Sequence, residues 1–166
     1  MAKSTPRILM FVCSGNTCRS PIAEGFTNYF LKNGDHGSDW HACSAGTLTS
    51  CGIPASDLAV RVMAEHGVDI SRHRSSPLGS WTLPEGTLFF GMTRAHKDEI
   101  ARIFPRRASS IFLLGEVSAP PVRGVPTEVP DPYGSSIASY RETAVMIRSM
   151  ILSLLPSLGK DPRFLS

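Results

Sequence analysis

The sequence lacks the features that mark several large classes of protein. No apolar run approaches the roughly 20 residues that cross a membrane, and the short run at 8–12 leads into a polar loop without a secretion-signal cleavage site. The nucleotide-binding pattern G-x-x-x-x-G-K-[ST] is absent, and the arginines form no basic run with interleaved aromatics. We therefore expect a soluble, cytoplasmic protein with neither a membrane nor a nucleic-acid partner.

Cysteine is scarce, with only Cys13, Cys18, Cys43 and Cys51 in 166 residues. Four cysteines in a chain without a secretion signal do not suggest a disulfide framework, although a pairing of Cys43 with Cys51 stays open. A zinc site is disfavoured because seven residues separate the second pair, which is not a usual ligand spacing. The length suits one domain, residues 1–166, with a sizeable core.

Short apolar runs alternate with helical patterns along the chain. Strands are predicted at residues 7–12, 40–44, 87–92 and 110–114, helices at 21–32, 55–66, 93–103 and 136–155, and a proline-rich loop at 120–132. This alternation predicts an α/β fold with a parallel sheet. Ligands on such sheets bind at the carboxyl ends of the strands, near a switch in strand order.

Particular residues predict the helix ends. Ser20 is expected to cap the first helix with Pro21 at its first position, and Gly34 to end it. Gly67 is expected to end the second helix, and Thr93 to cap the third.

The stretch VCSGNTCRSP, residues 12–21, stands between the first strand and the first helix. Backbone N–H groups in such a turn and the start of the helix form a site for a dianion, and the guanidinium of Arg19 matches two phosphate oxygens. Gly15 and Asn16 tolerate left-handed backbone. Cys13 would lie beneath the anion as a thiolate nucleophile. A C-x5-R spacing alone is weak evidence, and the surrounding strand, loop and helix strengthen it.

A thiolate mechanism also needs an acid for the leaving group. Asp131 stands out among the aspartates because Pro130 and Pro132 flank it and stiffen the loop, and Tyr133 follows. An isolated aspartate in this setting is more often a turn residue than a catalyst. Asp131 is nevertheless the best candidate acid.

The combination of VCSGNTCRSP with the distant DPYG resembles the low-molecular-weight protein tyrosine phosphatases. Three further segments, CSAGT (43–47), ISRHRSSPL (70–78) and MTRAHK (92–97), follow in the family's order. The resemblance implies a three-layer αβα fold with a four-stranded parallel sheet, and neither metal nor cofactor. It also implies phosphorylated proteins as substrates and inorganic phosphate as product.

The resemblance assigns the chemistry to three residues. Cys13 would form a phosphocysteine intermediate, Arg19 would bind the phosphoryl group, and Asp131 would protonate the leaving group and then activate water. The phosphate-binding residues implied are Ser14, Gly15, Asn16, Thr17, Cys18 and Ser20.

Further roles are also implied only by the resemblance. Asn16 would hold the loop in its left-handed form, braced by Ser44 and His73, and Ser20 would donate a hydrogen bond to the nucleophile. Cys18 matches a cysteine that can form a reversible protective disulfide with the nucleophile.

Two departures bear on the substrate. Thr17 replaces the aliphatic residue that is usual in tyrosine-directed members, and Tyr133 is followed by Gly134 rather than by a second aromatic. Both resemble the bacterial protein-arginine-phosphatase branch. We therefore favour phosphoarginine as the substrate and keep phosphotyrosine as the alternative, since threonine can also be a tolerated β-branched replacement.

More remote alternatives are an arsenate reductase and a non-catalytic phosphoprotein-binding module. The reductase needs extra cysteines downstream, and no cysteine follows Cys51. A binding module would be expected to have lost Cys13, Arg19 or Asp131, and all three are present.

Overall fold

The computed structural model describes residues 6–34, 39–117 and 126–165. Strands and helices alternate along most of the chain. In order they are β1 (Arg7–Cys13), α1 (Arg19–Asn33), β2 (Trp40–Gly46), α2 (Asp57–Glu65), β3 (Leu88–Gly91), α3 (Arg94–Ile103), β4 (Ile111–Leu113), α4 (Leu114–Val117) and α5 (Ile137–Leu154).

The four strands form one parallel sheet in the order β2-β1-β3-β4. The chain therefore moves to one side of β1 for β2 and to the other side for β3. This reversal of strand order opens a crevice at the carboxyl end of β1, where ligands bind in sheets of this kind. Cys13 is the last residue of β1 and lies at that crevice.

The alternation of side chains along β1 divides the core into two layers. Leu9 and Phe11 lie on one face of the sheet, packed with residues of α1, α2 and α5. Met10 and Val12 lie on the opposite face, where Ile100 of α3 covers them. The result is helices on both faces of a parallel sheet, and the predicted αβα fold is confirmed.

The start of α1 differs from the prediction. The helix begins at Arg19, Cys18 precedes it without a side-chain cap, and Pro21 is the third helical residue rather than the first. Proline is tolerated there because the first N–H groups of a helix have no intrahelical acceptor. Ser20 does not cap the helix, because its hydroxyl contacts the sulfur of Cys13 instead.

The other predicted helix ends largely agree with the structure. Thr93 caps α3 by accepting from the N–H of His96, and Gly34 follows α1. Gly67 adopts a positive φ of 74° directly after the end of α2. The start of α2 lies two residues later than predicted, at Asp57, because the hydroxyl of Ser56 caps it.

The loop that carries the candidate acid begins outside the described residues, since 120–125 of the predicted loop at 120–132 are not among them. Its described part is packed tightly against α4: a Cβ added at Gly115 would lie 2.1 Å from the carbonyl oxygen of Thr127. Farther along, the N–H of Val129 donates to the carbonyl of Met92 at 2.9 Å. The loop thus approaches the sheet at the end of β3.

We expect Gly115→Ala to destabilise the protein and displace this loop. The added methyl group collides with backbone atoms, which cannot rotate away, and such overpacking costs about 1–3 kcal/mol. Gly86→Ala is the matched control, because nothing lies within 4 Å of its added Cβ. Urea unfolding measures both variants. Equal stabilities for the two would show that residues 115 and 127 are not in close contact.

Candidate active site

The loop between β1 and α1, residues 14–18, leaves its backbone donors free. Their N–H groups make no hydrogen bond to any residue that the structure describes. Carbonyl groups of the same loop, in contrast, accept hydrogen bonds. That of Ser14 accepts from the N–H of Leu48 at 3.0 Å. That of Thr17 accepts from the N–H of Ser56 at 2.9 Å. Unpaired N–H groups at the start of a helix form a site for an anion.

Asn16 sets the shape of this loop. It is fully buried and adopts a left-handed backbone with φ of 55°. Its amide nitrogen donates to the hydroxyls of Ser20 and Ser44, each at 2.9 Å. Its amide oxygen accepts from the N–H of Ser76 at 2.9 Å, and its carbonyl accepts from Nε2 of His73 at 2.7 Å. These contacts hold the loop in its unusual conformation.

The hydroxyl of Ser20 is directed towards the sulfur of Cys13, 2.9 Å away. Because the Asn16 amide already donates to this hydroxyl, the single hydroxyl hydrogen is available for the sulfur. The carbonyl of Ala45 is a poorer acceptor for it at 3.5 Å. Ser20 thus directs a hydrogen-bond donor at the buried sulfur of Cys13.

A carboxylate closes the network behind Asn16. Ser44 accepts from the Asn16 amide and donates to the Oε2 oxygen of Glu24. His73 donates through Nε2 to the Asn16 carbonyl, and its Nδ1 lies 3.8 Å from the same Glu24 oxygen. Ser44 and His73 therefore brace Asn16 from two sides, with Glu24 next to both.

Arg19 is buried at the first position of α1 and is only partly satisfied. Its Nη1 donates to the carbonyl of Val129 at 3.1 Å, and its Nη2 lies 3.3 Å from Oδ2 of Asp131. Its Nε has no hydrogen-bond partner among the described residues. A buried guanidinium with an unused N–H beside free backbone donors suits a phosphate group.

Asp131 lies at the mouth of the site and is half exposed, with 52% of its side chain accessible. Its Oδ1 accepts from the N–H of Tyr133 at 3.1 Å, a short turn that orients the carboxyl group. The ring of Tyr133 is 73% exposed beside it. The loop thus presents one carboxylate and one aromatic ring to the opening.

These residues surround one cleft of about 1100 Å³. Cys13 and Arg19 lie in its floor, Thr17 in its wall, and Asp57 and Asp131 beside its opening. Its exposed apolar rim consists of Leu48, Ile53 and Tyr133.

His96 contacts the same loop from the opposite layer of the fold. Its Nδ1 accepts from the N–H of Thr93 at 3.2 Å, so the neutral ring carries its hydrogen on Nε2, 2.8 Å from the hydroxyl of Ser14. Burial, and then the positive charge of Arg19, lowers the pKa of His96 to about 4. The ring is therefore neutral at pH 7 and donates to Ser14.

Cys18 lies beneath the loop in a polar cluster. Its sulfur is 3.3 Å from the hydroxyl oxygens of Ser56 and Tyr140. Burial, and then the hydrogen bond with Cys18, raises the pKa of Tyr140 to about 12, so the phenol stays protonated. Cys18 and the other three cysteines are free thiols in this structure.

The family of the protein follows from comparison with known sequences. The sequence model of the family described as low molecular weight phosphotyrosine protein phosphatase matches residues 8–163, a span that includes the whole cleft. The chain belongs to this family. It is accordingly a hydrolase of the protein-phosphatase class.

Individual relatives divide between two substrates. The protein-arginine-phosphatase of Bacillus subtilis is 34% identical over 155 residues, covering 93% of this chain and 99% of the relative. A probable low molecular weight protein-tyrosine-phosphatase of Ralstonia nicotianae is 32% identical over 152 residues, covering 92% and 96%. Identities this similar do not separate phosphoarginine from phosphotyrosine as the substrate of this chain.

Solved structures share the fold. The crystal structure of a low molecular weight protein tyrosine phosphatase from T. tengcongensis superposes with a TM-score of 0.77 at 39% identity, covering 92% of this chain and 99% of that one. The fold predicted from the resemblance is therefore confirmed as the low-molecular-weight phosphatase fold.

Two other findings concern the described parts of the chain. None of the helices there is both long and apolar enough to cross a membrane. No three His, Cys, Asp or Glu side chains within residues 6–34, 39–117 and 126–165 are clustered closely enough to hold a metal ion.

The structure brings all the predicted site residues together and adds three that the sequence did not single out. Glu24 is one of the three, and its spacing of four from Ser20, which places both on one helix face, is the signal that could have found it. His96 lies in the MTRAHK segment, to which no role was attached. Nothing in the sequence around Tyr140 distinguishes it from an ordinary core residue.

We expect the side-chain amide of Asn16 to affect the free energy of unfolding more than the positive φ of its backbone does. Asn16→Ala and Asn16→Gly both leave buried partners unpaired and should each cost about 2–4 kcal/mol. Glycine adopts positive φ freely, so the two variants should differ by only about 1 kcal/mol. Urea unfolding measures the free energies. A glycine variant as stable as the wild type would show that the hydrogen bonds contribute nothing.

Proposed function

We propose that the protein hydrolyses phosphoarginine in proteins through a phosphocysteine intermediate on Cys13. The observation that carries the catalytic part is the juxtaposition of a buried sulfur with backbone N–H groups and an Arg19 Nε that have no partner in the described part of the chain. The substrate part rests on Thr17 in the wall of the cleft.

In the first step the Cys13 thiolate attacks phosphorus, forming an S–P bond as the bond to the leaving nitrogen breaks. Ser20 donates a hydrogen bond to the thiolate. Arg19 and the N–H groups of residues 14–18 hold the phosphoryl oxygens and stabilise the charge in the transition state. Because these donors are fixed before substrate binds, little reorganisation is needed.

Asp131 completes both steps. Its carboxyl group stands 3.3 Å from Nη2 of Arg19, at the mouth of the cleft, where the leaving group would emerge. It gives its proton to the leaving nitrogen, and its carboxylate then takes a proton from a water molecule. That water attacks phosphorus, which releases inorganic phosphate and restores the Cys13 thiolate.

Thr17 favours a guanidinium over a phenol. Its hydroxyl has one weak contact among the described residues, 3.8 Å from the sulfur of Cys18, so it can accept a hydrogen bond from substrate. Asp57 and Asp131 add negative charge beside the opening. A phosphorylated guanidinium offers N–H donors to such acceptors, whereas a phenol ring offers none.

Phosphotyrosine is the second candidate, and the rim of the cleft supports it. Leu48, Ile53 and Tyr133 expose apolar surface at the opening, against which an aromatic ring could pack. Tyrosine phosphatases among the relatives agree with this candidate.

Replacing the acid should affect substrates according to their leaving groups. We expect Asp131→Asn to lower kcat/KM for phenyl phosphate about a hundredfold or more, because phenolate needs a proton to leave. Nitrophenyl phosphate should lose far less, because nitrophenolate is a weak base. Steady-state kinetics with both esters makes the measurement, with the exposed Asp98→Asn as control. Equal losses for the two esters would exclude Asp131 as the acid.

Thr17→Ile should shift the preference from phosphoarginine to phosphotyrosine peptides. The substitution removes the hydroxyl acceptor and enlarges the apolar wall, and losing such a hydrogen bond is worth about tenfold in relative kcat/KM. Thr49→Ile, at another threonine of the same cleft, is the control and should leave the preference unchanged. If phosphotyrosine is preferred before and after Thr17→Ile, the arginine assignment is wrong and the protein is a tyrosine phosphatase.

A further inference from the structure

The first turn of α3, residues 93–96, touches both of the loops that carry the proposed chemistry. One contact joins His96 to Ser14, the residue after the nucleophile. The other joins the backbone of Arg94 to Glu128, three residues before the acid. The mechanism above uses the backbone N–H of Ser14 but not its hydroxyl, and it gives no role to His96, Arg94 or Glu128.

The contact to the nucleophile loop is directional. His96 is buried and neutral, with Nδ1 satisfied by the N–H of Thr93 and Nε2–H donating to Ser14 at 2.8 Å. The charged groups that most affect the ring are Arg19, Asp131 and Glu128. His96 therefore lies close to the charged residues of the site and holds the loop at Ser14. The contacts of Asn16 hold the loop from Ser44, His73 and Ser76.

The contact to the acid loop uses a helix N-terminus. The N–H of Arg94, at the first position of α3, donates to Oε1 of Glu128 at 2.6 Å. Glu128 is exposed, so its carboxylate is not needed to fill the core. Next to it, the N–H of Val129 donates to the carbonyl of Met92. Two successive residues thus attach the loop to the segment between the end of β3 and the start of α3.

The turn itself is rigidly placed on the sheet. A Cβ added at Gly91, the last residue of β3, would lie 2.9 Å from the backbone nitrogen of Lys97, so strand and helix are in close backbone contact. The side chain of Arg94 also pairs with Glu116 of α4 at 2.8 Å. Two loops attached to one such element are held at a fixed distance from each other.

We propose that the first turn of α3 positions the two halves of the active site, with His96 orienting the nucleophile loop through Ser14 and the Arg94 N–H orienting the acid loop through Glu128. This inference rests on the proposed mechanism. In it His96 and Glu128 are positioning residues, which act through the loops they hold. Phosphoryl transfer depends on alignment of the nucleophile, phosphorus and acid, so small displacements of either loop reduce the rate.

The nucleophile-loop contact can be tested with two substitutions of His96. The amide of His96→Asn can replace Nδ1 but is too short to reach Ser14, whereas the longer His96→Gln can replace Nε2. We expect His96→Asn to raise the inhibition constant of inorganic phosphate and to lower kcat/KM for nitrophenyl and phenyl phosphates alike, each about tenfold. His96→Gln should retain most of the wild-type phosphate affinity and most of the wild-type kcat/KM. His41→Asn, at an exposed position on β2, is the control.

The acid-loop contact should give a different pattern. Glu128→Ala should leave phosphate inhibition unchanged and lower kcat for phenyl phosphate about tenfold more than for nitrophenyl phosphate, because only the poorer leaving group needs the acid. Glu142→Ala, exposed on α5, is the control and should behave as the wild type. Circular dichroism and urea unfolding establish that each variant is folded.

Either of two outcomes would overturn this inference. The first is a folded His96→Asn variant with the phosphate affinity and rates of the wild type. The second is a Glu128→Ala variant whose kcat falls by the same factor for nitrophenyl and phenyl phosphate. If His96→Asn does not fold, Ser14→Ala removes the same hydrogen bond and should weaken phosphate binding by the same factor, and unchanged affinity there would also contradict it. Calorimetry measures phosphate binding without turnover and so separates the two proposals. If the wild-type protein binds phosphate but hydrolyses neither ester, the proposed function is contradicted and the positioning of the nucleophile loop by His96 can still be tested by phosphate affinity.

Discussion

The left-handed turn at Asn16 is the constraint on which the site depends. A backbone at positive φ is unfavourable for a residue with a side chain, and here hydrogen bonds to Ser20, Ser44, Ser76 and His73 hold it in place. The turn lets the loop curve so that its N–H groups have no hydrogen-bond acceptor among the described residues. It also brings the hydroxyl of Ser20 to the sulfur of Cys13. One buried amide thus determines both the anion site and the environment of the nucleophile.

The sheet supplies the rest of the arrangement. β1 ends at Cys13 with β2 on one side and β3 on the other, so segments from both sides of the strand order meet at its carboxyl end. Ser44, in β2, braces Asn16, and the backbone beyond β3 holds the loop of Asp131 through Met92 and Val129. Arg19 joins the two sides, with one nitrogen on Val129 and another near Asp131. Binding a phosphate there would engage both sides together.

Residues whose role is local could be predicted from the sequence. Cys13, Asn16 and Arg19 lie within seven positions, and their spacing, together with the apolar run before them and the helix after them, predicts an anion site. Ser20 does not cap the helix as its position in the sequence predicts, because its hydroxyl contacts the sulfur of Cys13, the partner that the family resemblance implies. Glu24, His96 and Tyr140 could not be assigned, since their partners are distant in sequence and depend on which helix faces which strand. The proposed substrate rests on one threonine in the wall of the cleft, and the relatives include both arginine and tyrosine phosphatases.

A rapid alkaline quench tests whether Cys13 carries the phosphoryl group during turnover, because both the P–N bond of phosphoarginine and an S–P bond on cysteine survive alkali better than acid. Wild-type enzyme in excess would be mixed with a phosphoarginine peptide, quenched within milliseconds, digested and analysed by mass spectrometry. We expect a transient phosphate on Cys13 that decays as inorganic phosphate appears. Phosphate found on Cys18 or another residue, or its release with no phosphoenzyme at any time point, would contradict it.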